Sequence, residues 1–149
     1  MILIAHRGNI HGPNPESENN PKYIDDALSQ GFNVEVDVRC IEGNFYLGHD
    51  ESQYSISVSW LRERKDNFWV HCKNLEAMEF FSNSLIDFNY FWHQEDDFTL
   101  TSKRYIWTYP GKPHTIKSII VMPELIESFN YEKLKDCYGV CSDYVGKLK

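Results

Sequence analysis

Basic residues are scarce in this chain: 15 Lys and Arg stand against 22 Asp and Glu, a formal charge of −7 at pH 7. That balance argues against a nucleic-acid-binding surface, because neutralising phosphates takes clustered cations. The two small basic groups, Arg62 to Lys65 and Lys147 to Lys149, read as solvated faces. Apolar runs long enough to cross a bilayer are missing. The opening stretch, Met1-Ile-Leu-Ile-Ala-His6, has too short an apolar part and no basic leader, so neither an integral membrane protein nor a signal peptide is expected. Cysteine is sparse as well. Cys40, Cys72, Cys137 and Cys141 form no C-x-x-C pair, which leaves no disulfide framework or structural zinc site to expect and makes a reducing cytoplasm the expected compartment. Repeats, low-complexity tracts and linkers are absent too, so residues 1–149 read as one domain.

What the chain does have is a series of short β-rich runs that end in ionisable residues. Ile2 to Ala5 precedes His6, Val34 to Val38 contains Glu35 and Asp37, Phe68 to Val70 precedes His71, and Tyr90 to Trp92 precedes His93. Tyr105 to Trp107, Ile119 to Met122 and Gly139 to Cys141 continue the series. Pro21 to Gln30 reads as a helix, with proline in its first turn and Gly31 at its end, and Asn74 to Phe81 as another with Asn74 as N-cap. Strand and helix in alternation predict an α/β fold with a parallel sheet. A (β/α) barrel is the first choice, but a full one takes about 250 residues and seldom fewer than about 200. The expectation is therefore a compact or partly degenerate TIM-type barrel with fewer helices than usual, with an open doubly wound sheet as the alternative. A barrel so shortened would expose an apolar edge, which a homodimer would cover.

In parallel α/β folds ligands sit at the carboxyl ends of the strands, where these ionisable residues fall. Glu35 and Asp37, two apart on a strand, project from the same face, and two like charges so close call for a cation or a shared proton. Hard carboxylate oxygens suit Mg²⁺ or Ca²⁺. His6-Arg7-Gly8 combines a near-neutral titrating group, a fork of donors that fits phosphate oxygens and a residue that lets backbone approach closely. Taken singly, each of these, like Gly48-His49-Asp50, also fits an ordinary strand edge, cap or turn.

Taken in order, the elements resemble the glycerophosphodiester phosphodiesterase family. His6-Arg7-Gly8, Glu18-Asn19, a helix ending at Gly31, Glu35-x-Asp37-Val38 and Gly48-His49-Asp50 follow that family's H-R-G, P-E-N-T, G, E-x-D-V and H-D pattern over residues 3 to 50, with the proline displaced to Pro15. Further on the likeness thins. Trp69-Val-His71-Cys-Lys73 looks like the family's third strand, with His71 where a glutamate usually stands; Tyr105-Ile-Trp107-Thr108 and the segment from Gly139 to Tyr144 look like its last strands.

The resemblance implies a metal-dependent phosphoric diester hydrolase acting on a small glycerophosphodiester-like or phosphodiester-linked glycan substrate. His6 and His49 would be acid and base, and Arg7 would hold a phosphate oxygen. Glu35, Asp37 and His71 would bind a divalent ion, with imidazole shifting preference from Mg²⁺ or Ca²⁺ towards Mn²⁺ or Zn²⁺. Glu18 would complete the metal shell or orient Arg7, Asp50 would support His49, and Lys73 would add positive charge. Asp143 ends the last strand. The segment Trp92 to Asp97, with His93 and Glu95, has no counterpart in the family pattern and reads either as a specificity loop or as a solvated acidic loop. Trp107 and Tyr109 read as an aromatic wall or as core packing. Two other functions share these residues: a phospholipase-D-like lyase that forms a cyclic phosphate, and a phosphoryl-ligand-binding barrel without catalysis.

Overall fold

Val34, Val36 and Val38 alternate with Glu35 and Asp37 along one nine-residue strand, β2 (Asn33–Ile41). In the computed structural model of the chain, which describes residues 1–149, all five are buried. A strand with both faces covered belongs to the interior of an α/β layer. The valines pack beneath helices α1 (Pro21–Ser29) and α3 (Leu75–Asn83), in one cluster with Ile24, Ala27, Ala77 and Phe81. The carboxylates face the opposite side of the sheet, as the two-residue period of a strand requires.

The other strands are β1 (Ile2–His6), β3 (Asn44–Leu47), β4 (Tyr54–Ile56), β5 (Phe68–Cys72), β6 (Tyr90–Phe91), β7 (Phe98–Leu100), β8 (Ile106–Thr108), β9 (Ser118–Val121) and β10 (Gly139–Ser142). Seven of the ten run parallel in the order β6-β5-β2-β1-β10-β9-β8. These seven correspond to the runs read from the sequence. The others are antiparallel: β3 and β4 form a meander on the far end of β2, and β7 pairs with β8. The result is a mixed α/β fold whose sheet curls into part of a barrel and carries few helices. No ladder joins β6 to β8, but Ser102 reaches Tyr90 through its backbone N–H (2.8 Å to the carbonyl) and its hydroxyl, which accepts from the Tyr90 N–H at 3.0 Å.

Register carries one face around the curl. Ile4 pairs with Cys141 and Asn33, Glu35 with Trp69, His71 with Phe91, and Trp107 with Ile119. Ile4, Trp69, Phe91, Trp107, Ile119 and Cys141, one from each of six strands, form a second core cluster on that face. The three α-helices, including α2 (Val58–Arg64), follow β1, β4 and β5; the connections after β6, β8, β9 and β10 contain at most 3₁₀ turns. Between Asp96 and Ser118 two strands and their loops use up the chain, leaving no length for a crossover helix. Phe98 and Leu100 on β7 are accordingly exposed, at 46% and 64%. The basic group at Arg62 to Lys65 is less solvated than its sequence suggests, because Arg64 forks onto Asp25 at 2.6 and 2.9 Å and stacks on Trp60, tying α2 to α1. No helix is long and apolar enough to cross a membrane, and all four cysteines are free.

Asn74 ties this architecture together. Its Oδ1 accepts from Ala77 N as the cap of α3 and from Cys40 N, while its Nδ2 donates to the Cys40 carbonyl at 2.7 Å, continuing the β2 ladder where no strand follows. Losing a cap costs about 1 kcal/mol and leaving buried backbone groups unpaired about 1 kcal/mol more, so Asn74→Ala is expected to lower stability by about 2 kcal/mol in urea unfolding at unchanged m-value. An Asn74→Ala midpoint equal to wild type would contradict this account.

Candidate active site

At the carboxyl ends of the parallel strands lies a cleft of about 480 Å³. His6, Arg7, Glu35, His49, His71, Lys73, His93, Glu95 and Trp107, nine of the residues singled out from the sequence, line it. Asp37 lies fully buried beneath it and Asp143 backs His6. Glu18 stands behind Arg7, and Asp50 sits on the rim beside His49 with its carboxylate in solvent.

Two buried carboxylates set the electrostatics. Asp37 Oδ2 accepts from Asn19 Nδ2 at 2.9 Å and lies 3.0 Å from Arg7 Nε, whose N–H is not aligned for a hydrogen bond, so that contact is an ion pair. Asn19 Oδ1 accepts from the Asp37 N–H in turn, an amide clamp on the strand. Arg7 also pairs with Glu18 at 3.1 Å. Glu18 thus contacts Arg7 and lies outside the Glu35, Asp37 and His71 group. Both Arg7 and Asn19 hold positive φ, 52° and 61°, an uncommon conformation kept where surrounding contacts over-determine it. Gly8 follows at φ 92° and cannot be larger, since a Cβ there would come within 2.8 Å of Tyr23.

Glu35 Oε2 and Asp37 Oδ1 are buried without a hydrogen-bond partner. His71 Nδ1 stands 3.5 Å from Glu35 Oε1 and 3.3 Å from Asp37 Oδ1, longer than the 2.7–2.9 Å of a charge-assisted hydrogen bond. Adjacent ligands of a small divalent ion are about 3 Å apart when each bond is about 2.1 Å. The other ring nitrogen, Nε2, is 3.0 Å from the His93 carbonyl, which can only accept, so Nδ1 carries the lone pair whenever the ring is neutral. One ligand atom from each of Glu35, Asp37 and His71 falls within 4.8 Å of the others. Orphaned oxygens and an aimed imidazole make a donor set that fits a divalent cation.

His6 Nδ1 is 2.8 Å from Asp143 Oδ1, which leaves Nε2 on the cleft side, 4.0 Å from Glu35 Oε2. Burial alone would lower the His6 pKa, but the Asp143 bond and the Glu35 charge outweigh it and raise the pKa above the ordinary value. Burial likewise works against ionised Asp143, yet the His6 bond holds its pKa low. His49 repeats the arrangement in the open, with Nδ1 2.7 Å from Asp50 Oδ1 and its carbonyl accepting from Arg39. Lys73 Nζ lies 3.8 Å from Asp37 Oδ1.

The segment Trp92 to Asp97 divides. His93 and Glu95 line the cleft, with the His93 pKa lowered by burial and by neighbouring His71, while Asp97 pairs with Lys112 away from it. Asn9, fully buried, escaped the sequence reading. Its Nδ2 bridges Glu18 Oε1 at 2.9 Å and Asp143 Oδ1 at 2.8 Å, linking the Arg7 and His6 supports. Its position two residues past Arg7 was the only signal. Glu124, which accepts from Asp143 N and Ser142 Oγ, gave none.

Burial opposes a charged His71, but contacts with Asp37 and Glu35 raise its pKa from 6.5 to about 9 in the metal-free protein. A raised pKa stabilises the fold fully below the unfolded value near 6.5 and loses that contribution as pH climbs through about 9. Chelator-treated protein should therefore lose thermal stability between pH 6.5 and 9, and His71→Gln should keep only the smaller slope due to His6. Equal slopes in the two proteins would contradict the assignment. No protein-family model, curated protein or solved structure matches the chain, so its chemistry is read from its own residues.

Proposed function

We propose that the protein is a metal-dependent phosphodiesterase of the glycerophosphodiester phosphodiesterase type, built on a shortened TIM-type barrel. One observation carries the reading: His6, ring fixed by Asp143 and Nε2 free, faces the same cleft as Arg7, Lys73, His49 and the Glu35, Asp37, His71 group. The barrel is supported by seven parallel strands, by the six-strand inner cluster and by the Ser102–Tyr90 bonds spanning the gap. A cleft at the carboxyl ends of the strands is where such barrels bind ligands.

Glu35, Asp37 and His71 would hold the ion, either Mg²⁺ or Ca²⁺ by the carboxylates or Mn²⁺ or Zn²⁺ by the imidazole. Bound there, it would supply Lewis acidity and offset charge on the phosphoryl oxygens. His6 and His49 each have Nδ1 tied to a carboxylate and Nε2 free. Such a ring can take a proton from an attacking hydroxyl or give one to a leaving alkoxide, so the two divide the roles of base and acid. Asp143 and Asp50 fix ring orientation and favour the imidazolium that forms. Arg7, gripped by Glu18 and Asp37, presents its remaining donors to a non-bridging oxygen with little freedom left to lose. Lys73 adds charge at the same oxygens. The attacking hydroxyl is water or a neighbouring hydroxyl of the substrate, and phosphorus NMR of the products separates hydrolysis from the lyase reaction that stops at a cyclic phosphate.

The test is hydrolysis of bis(p-nitrophenyl) phosphate and glycerophosphocholine by metal-stripped protein, with Mg²⁺, Mn²⁺, Ca²⁺ or Zn²⁺ restored singly. Turnover should require the ion, and His6→Ala and His49→Ala should each lower kcat by about 10²-fold or more with the fold retained by circular dichroism. Glu35→Gln should weaken ion binding in calorimetry. Wild-type rates in His6→Ala would remove the acid–base assignment; silence with every ion in folded protein would favour a phosphoryl-ligand binder.

A further inference from the structure

The cleft is divided by strand of origin. Every lining side chain that carries a charge or an imidazole comes from β1, β2 or β5 or from the segments just after β1, β3, β5 and β6. The segments at β8 and β9 contribute Trp107, Tyr109, Pro110, Val121, Met122 and Leu125, none of them charged. Trp107 is spent on the core, with its ring 4.5 Å from Phe91 and 6.0 Å from Trp69. Val121 packs against the same inner cluster, while Tyr109, 46% exposed, and Leu125, 63%, form the rim. Met122 holds φ 43°, a left-handed conformation that a methionine rarely adopts, at the turn from β9 into the 3₁₀ turn that carries Leu125. Strained backbone and exposed apolar side chains beside a charged cleft are both unfavourable in the free protein, and such features concentrate at ligand clamps.

We propose that this wall is a subsite for an apolar alcohol, so that the substrate is a phosphodiester with one alkyl or aryl ester group lying against Tyr109, Met122 and Leu125. The inference rests on the phosphodiesterase reading and deepens it. The phosphate sits over the ionisable half, and one ester arm extends to the uncharged half. A sugar is the competing occupant of an aromatic wall, but its hydroxyls need several placed polar groups. Pro110, Val121, Met122 and Leu125 offer no strong hydrogen-bonding side-chain atom, whereas an alkyl or aryl group needs only to cover Leu125 and the Tyr109 ring. Each methylene removed from water against such a wall improves affinity by up to about fourfold.

The test is calorimetric binding of O-methyl alkylphosphonates from methyl to hexyl, with and without Mn²⁺, the chain joined through carbon so that it cannot be cleaved off. Kd should fall about two- to fourfold per methylene over at least three steps, and Leu125→Asp, an exposed position, should flatten that slope. A Kd independent of chain length, a slope unchanged in Leu125→Asp, no measurable binding of the hexyl member, or tighter binding of a glycosyl phosphonate would overturn the subsite. Turnover of the matching p-nitrophenyl alkyl phosphates reads the reaction separately. A chain-length trend in binding without turnover upholds the subsite and removes the phosphodiesterase, and turnover without a trend does the reverse.

Discussion

Burying two carboxylates side by side is the constraint on which the rest of this structure depends. Glu35 and Asp37 sit on a central strand with their charges out of water, where an uncompensated anion is costly and a pair is more so. Much of the surrounding anatomy answers that cost. Arg7 turns back from the end of β1 in a left-handed conformation to pair with Asp37, Asn19 in the same conformation clamps it, and His71 on β5 and Lys73 just after it approach from the next strand. Burial opposes ionised Asp37, yet His71 and Arg7 hold its pKa well below the usual carboxylate range. Even so Glu35 Oε2 and Asp37 Oδ1 stay without a hydrogen-bond partner, and the proposal of a bound cation rests on those two orphaned oxygens.

A second network supports His6, whose Nε2 lies 4.0 Å from Glu35 Oε2 on the neighbouring strand. Asp143 would be free to rotate at the end of β10 but for Asn9, which holds its Oδ1, and Glu124, which caps its backbone N–H. Because Asn9 also grips Glu18, the Arg7 side and the His6 side are joined through one buried amide. Coupled polar groups of this kind are rigid when fully satisfied and fail together when one member is lost. Positioning of His6 and of Arg7 is thus one property of the fold.

Much of this was legible in the sequence, for reasons that differ by residue. The seven parallel strands announced themselves because a strand covered on both faces must be apolar almost throughout, and Glu35 and Asp37 were conspicuous as the exceptions. The helices at Pro21 and Asn74 carried their own punctuation. By contrast β7 is three residues of Phe98, Thr99 and Leu100 whose pairing is dictated by β8, and α2 has ordinary amphipathic composition with its anchoring partner, Asp25, on another helix. Asn9 and Glu124 act through partners from 9 to 134 residues distant, beyond the reach of local pattern. His93 lines the cleft, one of the two readings its segment allowed, but its carbonyl, which fixes the His71 tautomer, has no sequence signature because every residue has one.

The uneven helical cover makes physical sense once the cleft is seen as two halves. Charged ligands need side chains held within a fraction of an ångström, and that precision comes from packing the strand beneath them. Val34, Val36 and Val38 are locked under α1 and α3, so Glu35 and Asp37 are fixed from behind, and the helix-covered half is the half that carries the ionisable groups. The half built on β8 and β9 presents uncharged side chains, and in the proposed subsite their attraction would be non-directional and tolerant of small displacements. A chain short of residues can omit helices there at least cost to chemistry. Phe98 and Leu100 on β7 are exposed apolar side chains on an outer face that no helix covers.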